Sequence, residues 1–314
     1  MRRVAITGVS GYVGSLLAGR LADHPEVEAI VGLDLLPPSK ASPKLRFHQR
    51  DVTEPFDDIF QSEGVDAAVH LAFIVRPTRD GTRARTVSIE GARNVVAACL
   101  ATDVRHLLHF SSATVYGAHP DHALPLTEET PVRPNKGFQY AWDKAATDRI
   151  LEDAPASSPD LAVTLLRGGV VLGPNAKGSV GSKIFQRLML RIAGHDPLIQ
   201  YLHEDDVVDA IVSLLESPAS GVYNLGGDEP LRYSQVARLA ERPMIPMPRP
   251  IIGGLIDASW AMRLQSESTS AGLDFISYPW LVSNEKLKSA TGFACRHSTK
   301  EAVLGYLQAL GGQD

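Results

Sequence analysis

The chain has 314 residues, 44% apolar and 21% charged, the composition of a folded globular protein large enough for one α/β unit with a smaller lobe. With 31 basic against 36 acidic residues the net charge is −5, which argues against a nucleic-acid partner, since phosphate contacts call for a basic surface. The two cysteines make no disulfide framework, no apolar run of ~20 residues predicts a membrane helix, and the apolar run after Met1-Arg2-Arg3 is too short for a signal segment, so a cytoplasmic protein with no membrane contact is expected.

Residues 4–7 predict a short buried strand. Thr7-Gly8-Val9-Ser10-Gly11-Tyr12-Val13-Gly14 follows, and then an apolar helix pattern at Leu16, Leu17 and Leu21. In this order of strand, glycine turn and helix, Gly8 permits the tight turn. Gly11 lets backbone approach a pyrophosphate, and Gly14 allows close helix–strand packing. The helix N-terminus, with Tyr12 and Val13 in its first turn, adds N–H groups and partial positive charge. The next strand, 29–34, ends at Asp34, about 20 residues past Gly14, where a carboxylate accepts hydrogen bonds from an adenosine ribose and repels a 2′-phosphate. No Arg or Lys stands in the glycine loop or directly after Asp34, so NAD is the expected cofactor rather than NADP.

Further strands are expected at 45–50, 67–71, 106–111 and 162–167, separated by helical patterns. The alternation predicts an α/β fold with a Rossmann-type doubly wound parallel sheet and a ligand crevice at the strands' carboxyl ends. Asp34, His70, Ser112 and Arg167 all fall at that edge. After the fourth strand, residues 75–85 carry four arginines against one acid. They read as a solvated loop, with Arg76 the candidate there for holding an anionic substrate group.

Tyr140 and Lys144 stand at i and i+4 and share one face of a helix. A neighbouring ammonium favours the ionised phenol and lowers its pKa from ~10. A phenol so tuned takes a proton from an alcohol or gives one to a ketone, and Ser112 offers a second hydrogen bond to the same oxygen. Residues 1–167 are read as the nucleotide domain, rejoined by 205–228 through a helix and the strand 221–225. Residues 168–204 and 229–314 are read as a smaller, discontinuous substrate lobe. Within it, Pro243, Pro246, Pro248 and Pro250 mark a loop. The apolar stretch 251–262 either walls a pocket or packs on the core or on a second subunit, and residues 299–310 carry a buried helical stripe. No Cys/His/carboxylate cluster has metal-ligand spacing, so no metal is expected and His203 is expected to pack at the lobe junction.

Together these residues resemble the extended short-chain dehydrogenase/reductase family, of the NAD-dependent epimerase/dehydratase type, over nearly the whole chain. The resemblance rests on Thr7-Gly8-x-x-Gly11-x-x-Gly14, Arg50-Asp51-Val52, His70-Leu71-Ala72-Phe73, Ser112-Ala113-Thr114-Val115-Tyr116-Gly117, Tyr140-x-x-x-Lys144, Leu166-Arg167, Gly173-Pro174 and the segment 201–208. It implies that Tyr140 is the acid/base, that Lys144 lowers its pKa and holds the nicotinamide ribose, and that Ser112 orients the substrate oxygen. It also implies that Asp51 and Val52 meet the adenine, that Leu71 and Ala72 border the cofactor, and that Thr114 and Asn175 lie toward the substrate. Three positions depart from the family pattern. Ser88 stands where many members have Asn. Ile199 stands where nucleotide-sugar members often carry Arg. Ala113-Thr114 replaces the Asp-Glu pair of the sugar 4,6-dehydratases.

The expected activity is hydride transfer between NAD and a secondary alcohol or ketone. The alternatives are a nucleotide-sugar epimerase that recycles tightly bound NAD and an NAD(H)-sensing binding protein. The partner is a small molecule. The resemblance further implies a homodimer through helices near 86–100 and 139–151, with Val95, Ala98, Ala145 and Ile150 compatible with such a contact.

Overall fold

Apolar runs with β-branched residues become strands, and the amphipathic segments between them become helices. The main sheet is built from β1 (Arg3–Thr7), β2 (Ala29–Asp34), β3 (Leu45–Gln49), β4 (Ala67–His70), β5 (His106–Ser112) and β6 (Ala162–Gly168). Between them run α1 (Tyr12–Ala22), α2 (Asp57–Glu63), α3 (Gly81–Leu100) and α4 (Gln139–Glu152). The structure, a computed structural model, describes residues 1–75, 81–156, 158–176, 178–179, 185, 188–265 and 269–311.

Beyond β6 come β7 (Val170–Leu172), β8 (Met189–Ile192), β9 (Leu198–Ile199), β10 (Tyr201–His203), α5 (Glu204–Glu216) and β11 (Gly221–Leu225). β12 (Leu231–Arg232), α6 (Tyr233–Leu239), β13 (Met244–Met247), α7 (Arg249–Ala261), α8 (Glu285–Thr291) and α9 (Thr299–Gly311) complete the described elements. The seven-stranded sheet has the order β11-β6-β5-β4-β1-β2-β3, and every pairing in it is parallel. The Rossmann-type doubly wound sheet expected from the alternation is therefore present.

Side chains alternate across this sheet with a period of two. Val4 and Ile6 of β1 enter a core with Leu17 and Leu21 of α1 and Ile211 and Leu214 of α5. Ala5 faces the other way, into a core with Phe60, Ala92, Val95 and Leu151. Both layers exclude water, which is why the strands read as continuous apolar runs. Each fully buried Leu or Ile contributes about 1.5–3 kcal/mol of transfer free energy. Among the described residues no helix is long and apolar enough to cross a membrane.

Four local expectations change. Arg83 and Arg85 lie in the first turns of α3 rather than in a loop, and Arg85 pairs with Asp143 at 3.1 Å. Arg76 lies outside the described residues. The proline-punctuated segment is not a loop: Met244–Met247 forms β13, paired in parallel with β8. A two-stranded ladder leaves outward N–H positions unpaired, so Pro246 is tolerated there. The apolar stretch 251–262 lies almost entirely within α7, where Ile252 alone is buried while Leu255 and Met262 are 59% and 63% exposed. Finally, Val95 and Ala98 point into the sheet-facing core, which takes them out of any subunit contact.

Candidate active site

The glycine loop shows in its geometry why those positions are glycine. Gly8 has a positive φ of 76°, and a Cβ there would stand 2.8 Å from the Ala72 nitrogen. A Cβ on Gly14 would stand 2.1 Å from the Gly8 oxygen. β1 and β4 thus end pinched together: the Leu71 N–H donates to the Thr7 carbonyl at 3.0 Å, and Thr7 Oγ1 meets His70 Nδ1 at 2.7 Å. Gly11 caps α1 with no side-chain hydrogen bond, and no acid stands in the first turn. These donors fit a pyrophosphate. Val13 lies in that first turn. The side chain of Tyr12 turns away and donates its hydroxyl to Glu204, so only its backbone faces the loop.

Asp34 closes the far side. One carboxylate oxygen accepts the Ser10 N–H at 3.0 Å and the other the Leu35 N–H at 2.7 Å, which holds it beside the glycine loop. Asp51 accepts both the N–H and the hydroxyl of Thr53 at 2.9 Å. Val52 is buried against Gly91, where a Cβ would come within 3.1 Å. The set fits a dinucleotide: small residues where phosphates need room, backbone donors at a helix end and carboxylates flanking it.

From Ala72 the chain runs directly to the proton-transfer group. The Phe73 ring lies 4.0 Å below Lys144 Nζ and meets the Tyr140 ring edge-on at 5.4 Å. Ser112 ends β5, near enough to Tyr140 to favour the ionised form of its phenol. Burial pushes the phenol up to about 12, against the lowering effect of Ser112. Tyr140 is partly exposed yet set deep between rings, so its hydroxyl is the desolvated part. Lys144 Nζ does not settle on Tyr140. It donates to the Phe110 carbonyl at 2.7 Å and lies 3.4 Å from His109 Nε2. Burial pushes its ammonium down to about 7, and Asp148 opposes that fall.

Several of these partners were not singled out from the sequence. His109 Nδ1 is 3.0 Å from the His70 carbonyl, so Nδ1 carries the hydrogen and Nε2 accepts from Lys144. Asp148 stands one turn past Lys144 and pairs with buried Arg167 at 2.9 Å. Arg167 also donates to the Tyr116 hydroxyl at 3.2 Å, and that hydroxyl donates to Asn224 at 2.8 Å. The i+4 spacing of Asp148 and the alternation along β5 were the available signals. Thr114 is buried and donates its hydroxyl to Ser112 at 2.9 Å. Asn175 is tied to Glu204 by its N–H and its side-chain amide.

The fold brings His203, Asp205 and His297 together, each with one ligand-type atom within 4.8 Å of the others. The sequence spacing gave no sign of this grouping. The two imidazoles stack at 3.9 Å, His203 Nδ1 accepts the Asp205 N–H at 3.2 Å, and His297 Nδ1 sits 3.3 Å from both Asp206 oxygens. These ring nitrogens are used inside the α5–α9 junction.

Residues 4–226 match the profile of the NAD dependent epimerase/dehydratase family. An uncharacterized protein of Mycobacterium tuberculosis is 27% identical over 98% of this chain and 84% of its own length. A UDP-glucose 4-epimerase of Corynebacterium glutamicum is 25% identical over 96% of this chain and 93% of its own. Among solved structures, a UDP-glucose 4-epimerase of Thermotoga maritima with UDP-glucose superposes with a TM-score of 0.79 at 18% identity, covering 99% of each chain. MoeE5 in complex with UDP-glucuronic acid and NAD gives 0.78 at 19%, covering 99% of this chain and all of that one. With the profile spanning the glycine loop, Asp34, Ser112, Tyr140 and Lys144, the chain is an enzyme of the NAD-dependent epimerase/dehydratase family, the extended short-chain dehydrogenase/reductase type.

Proposed function

We propose that the enzyme transfers a hydride between NAD and a secondary alcohol or ketone, with Tyr140 as acid/base, Ser112 holding the substrate oxygen and Lys144 holding the nicotinamide ribose. The observation that carries this reading is the path from Gly8 through Ala72 and Phe73 to Lys144 and Tyr140. A dinucleotide anchored at the glycine loop is thereby led to the phenol. The backbone donors of the loop take the pyrophosphate, Asp34 accepts from the adenosine ribose, and Asp51 and Val52 border the adenine. When bound, NAD supplies the hydride acceptor or donor.

The residues handle the proton and the geometry. With its phenol at about 12, Tyr140 is protonated at neutral pH and is set to donate to a carbonyl oxygen in the reducing direction. In the oxidising direction it must first lose that proton. The Ser112 hydroxyl, fixed by Thr114, gives the substrate oxygen a second partner and so fixes which atom faces Tyr140. Replacing Tyr140 by Phe keeps the ring packing on Phe73 and removes only the hydroxyl. Turnover should fall by at least about a hundredfold, the worth of a positioned acid/base. NAD affinity, read by calorimetry, should stay within about twofold. A variant turning over at near the wild-type rate would sink the assignment.

A nucleotide-sugar epimerase is the second reading, supported by the Corynebacterium glutamicum relative and by the sugar-nucleotide complexes among the structural neighbours. Against it, Ile199 is buried in the lobe core with Tyr201 and Tyr233. Denaturing the purified enzyme separates the two readings. NAD released near one per chain, with no NADH formed from added NAD and alcohols, supports the epimerase. An enzyme that makes NADH from free NAD supports the oxidoreductase.

A further inference from the structure

Resting on the oxidoreductase reading, we propose that the substrate is a secondary alcohol or ketone borne on or beside a flat apolar ring, held by an aromatic row that flanks Tyr140. The row has five members. Phe73 meets Tyr140 at 5.4 Å, Tyr140 meets Phe138 at 6.1 Å, Phe138 meets Phe275 at 4.8 Å and Phe275 meets Trp280 at 5.0 Å. These rings come from separate stretches of chain: the end of β4, the start of α4, the 3-10 turn Ser270–Ile276 and the loop before α8. All five are only partly buried. Core aromatics close over one another, whereas each of these keeps part of its surface exposed, as the walls of a ligand pocket do.

The position of the row links it to the chemistry. At one end Phe73 lies under Lys144. At the other, Trp280 borders a small cavity with Ala113, Gly169 and Gln200, and Ala113 is the residue after Ser112. The row therefore spans the whole proton-transfer group. It offers a substrate ring carbon and little else. The Trp280 Nε1–H is spent on the Phe275 carbonyl at 3.3 Å. Beside Phe275 the charges cancel, since Arg249 pairs with Asp274 at 2.6 Å and Asp274 also takes the Asn135 amide at 3.0 Å. An apolar ring laid here buries its surface and gains edge-to-face contacts.

Binding is measured first, without turnover. Acetophenone is titrated into the full chain with NADH present, followed by calorimetry, with UDP-glucose as the polar comparison. Saturable acetophenone binding is expected, weakened about tenfold by Phe275→Ala and less by Phe275→Leu, which keeps apolar volume but removes the ring. Absence of saturable binding, affinity unchanged in Phe275→Ala, or tighter binding of UDP-glucose than of acetophenone would overturn the proposal. Turnover of 1-phenylethanol with NAD is then followed as NADH absorbance. Ring binding that depends on Phe275 without NADH formation would uphold the aromatic site while removing the oxidoreductase reading on which the substrate chemistry rests.

Discussion

Asp148 stands one helical turn beyond Lys144 and is buried with Arg167, and its placement decides the charge state of the lysine. Burial pushes the Lys144 ammonium down to about 7, and the Asp148 carboxylate is what opposes that fall. Arg167 in turn opposes the effect of burial on Asp148. Replacing Asp148 by Asn removes the opposing charge, so Lys144 loses its proton at lower pH. The same change leaves Arg167 without a buried counter-charge, since its other acid, Glu152, lies 3.4 Å away and is half exposed. The expected cost is about 3–5 kcal/mol, the usual loss on breaking one side of a buried pair. Urea denaturation checks the stability, and a pH–rate profile displaced toward acid checks the effect on Lys144. A loss under about 1 kcal/mol would show that the pair carries little of the site's stability.

Helix α1 contains both a glycine that the fold requires and one that it does not. A Cβ on Gly14 would run into the Gly8 oxygen, so Gly14→Ala should push the helix off the loop, lower the melting temperature and weaken NAD binding together. At Gly19, in the same helix, a Cβ would meet nothing within 4 Å, so Gly19→Ala should stabilise by about 0.5–1 kcal/mol with NAD affinity unchanged. Thermal melts and calorimetric NAD titrations of the two variants read this directly, and equal behaviour would contradict the close approach at Gly14. This contrast also marks how far the sequence could be read. The strand, glycine turn, helix order was legible because glycine spacing is set by backbone geometry alone. The side-chain setting of Lys144 was not, because His109 and Phe110 of β5 and Phe73 beyond β4 reach it from distant parts of the chain, and such long-range packing leaves no local spacing. Phe275 and Trp280 were invisible as site residues for the same reason. β13 was missed because a proline cluster signals a loop unless the partner strand is known.

At the scale of the molecule, three histidines are buried without charge. Burial pushes His70 down to about 3 and His106 to about 4, and holds His109 well below its ordinary value. Above pH 6.5 these rings are neutral in both the folded and the unfolded chain and contribute no slope. Below it the unfolded chain takes up protons that the folded chain refuses, so stability is lost as pH falls from about 6.5 toward the folded values. Each ring costs about 1.4 kcal/mol per pH unit, or about 3 kcal/mol for His70 and His106 together at pH 5.5, and His109 adds in the same direction. Lys144, at about 7 in the fold, is protonated in the unfolded chain throughout, so it adds a smaller loss in the same direction as pH falls from 7.5 through 7 and little below that. Urea midpoints at pH 7.5 and 5.5 should therefore differ strongly, and equal midpoints would mean that these rings take up protons in the folded enzyme.

The order of the sheet sets when the molecule can close during its synthesis. β6 is laid down by residue 168, yet its outer neighbour β11 is made only at 221–225, after β7 to β10 and α5. Until then β6 is an unprotected edge, a row of backbone donors and acceptors open to any other extended chain. The same delay withholds Val207, Ile211 and Leu214 of α5 from the core around β1. A nascent or truncated chain ending before residue 221 thus has a nearly finished nucleotide fold with one sticky side. The hazard arises because the chain leaves the sheet before its last strand is in place.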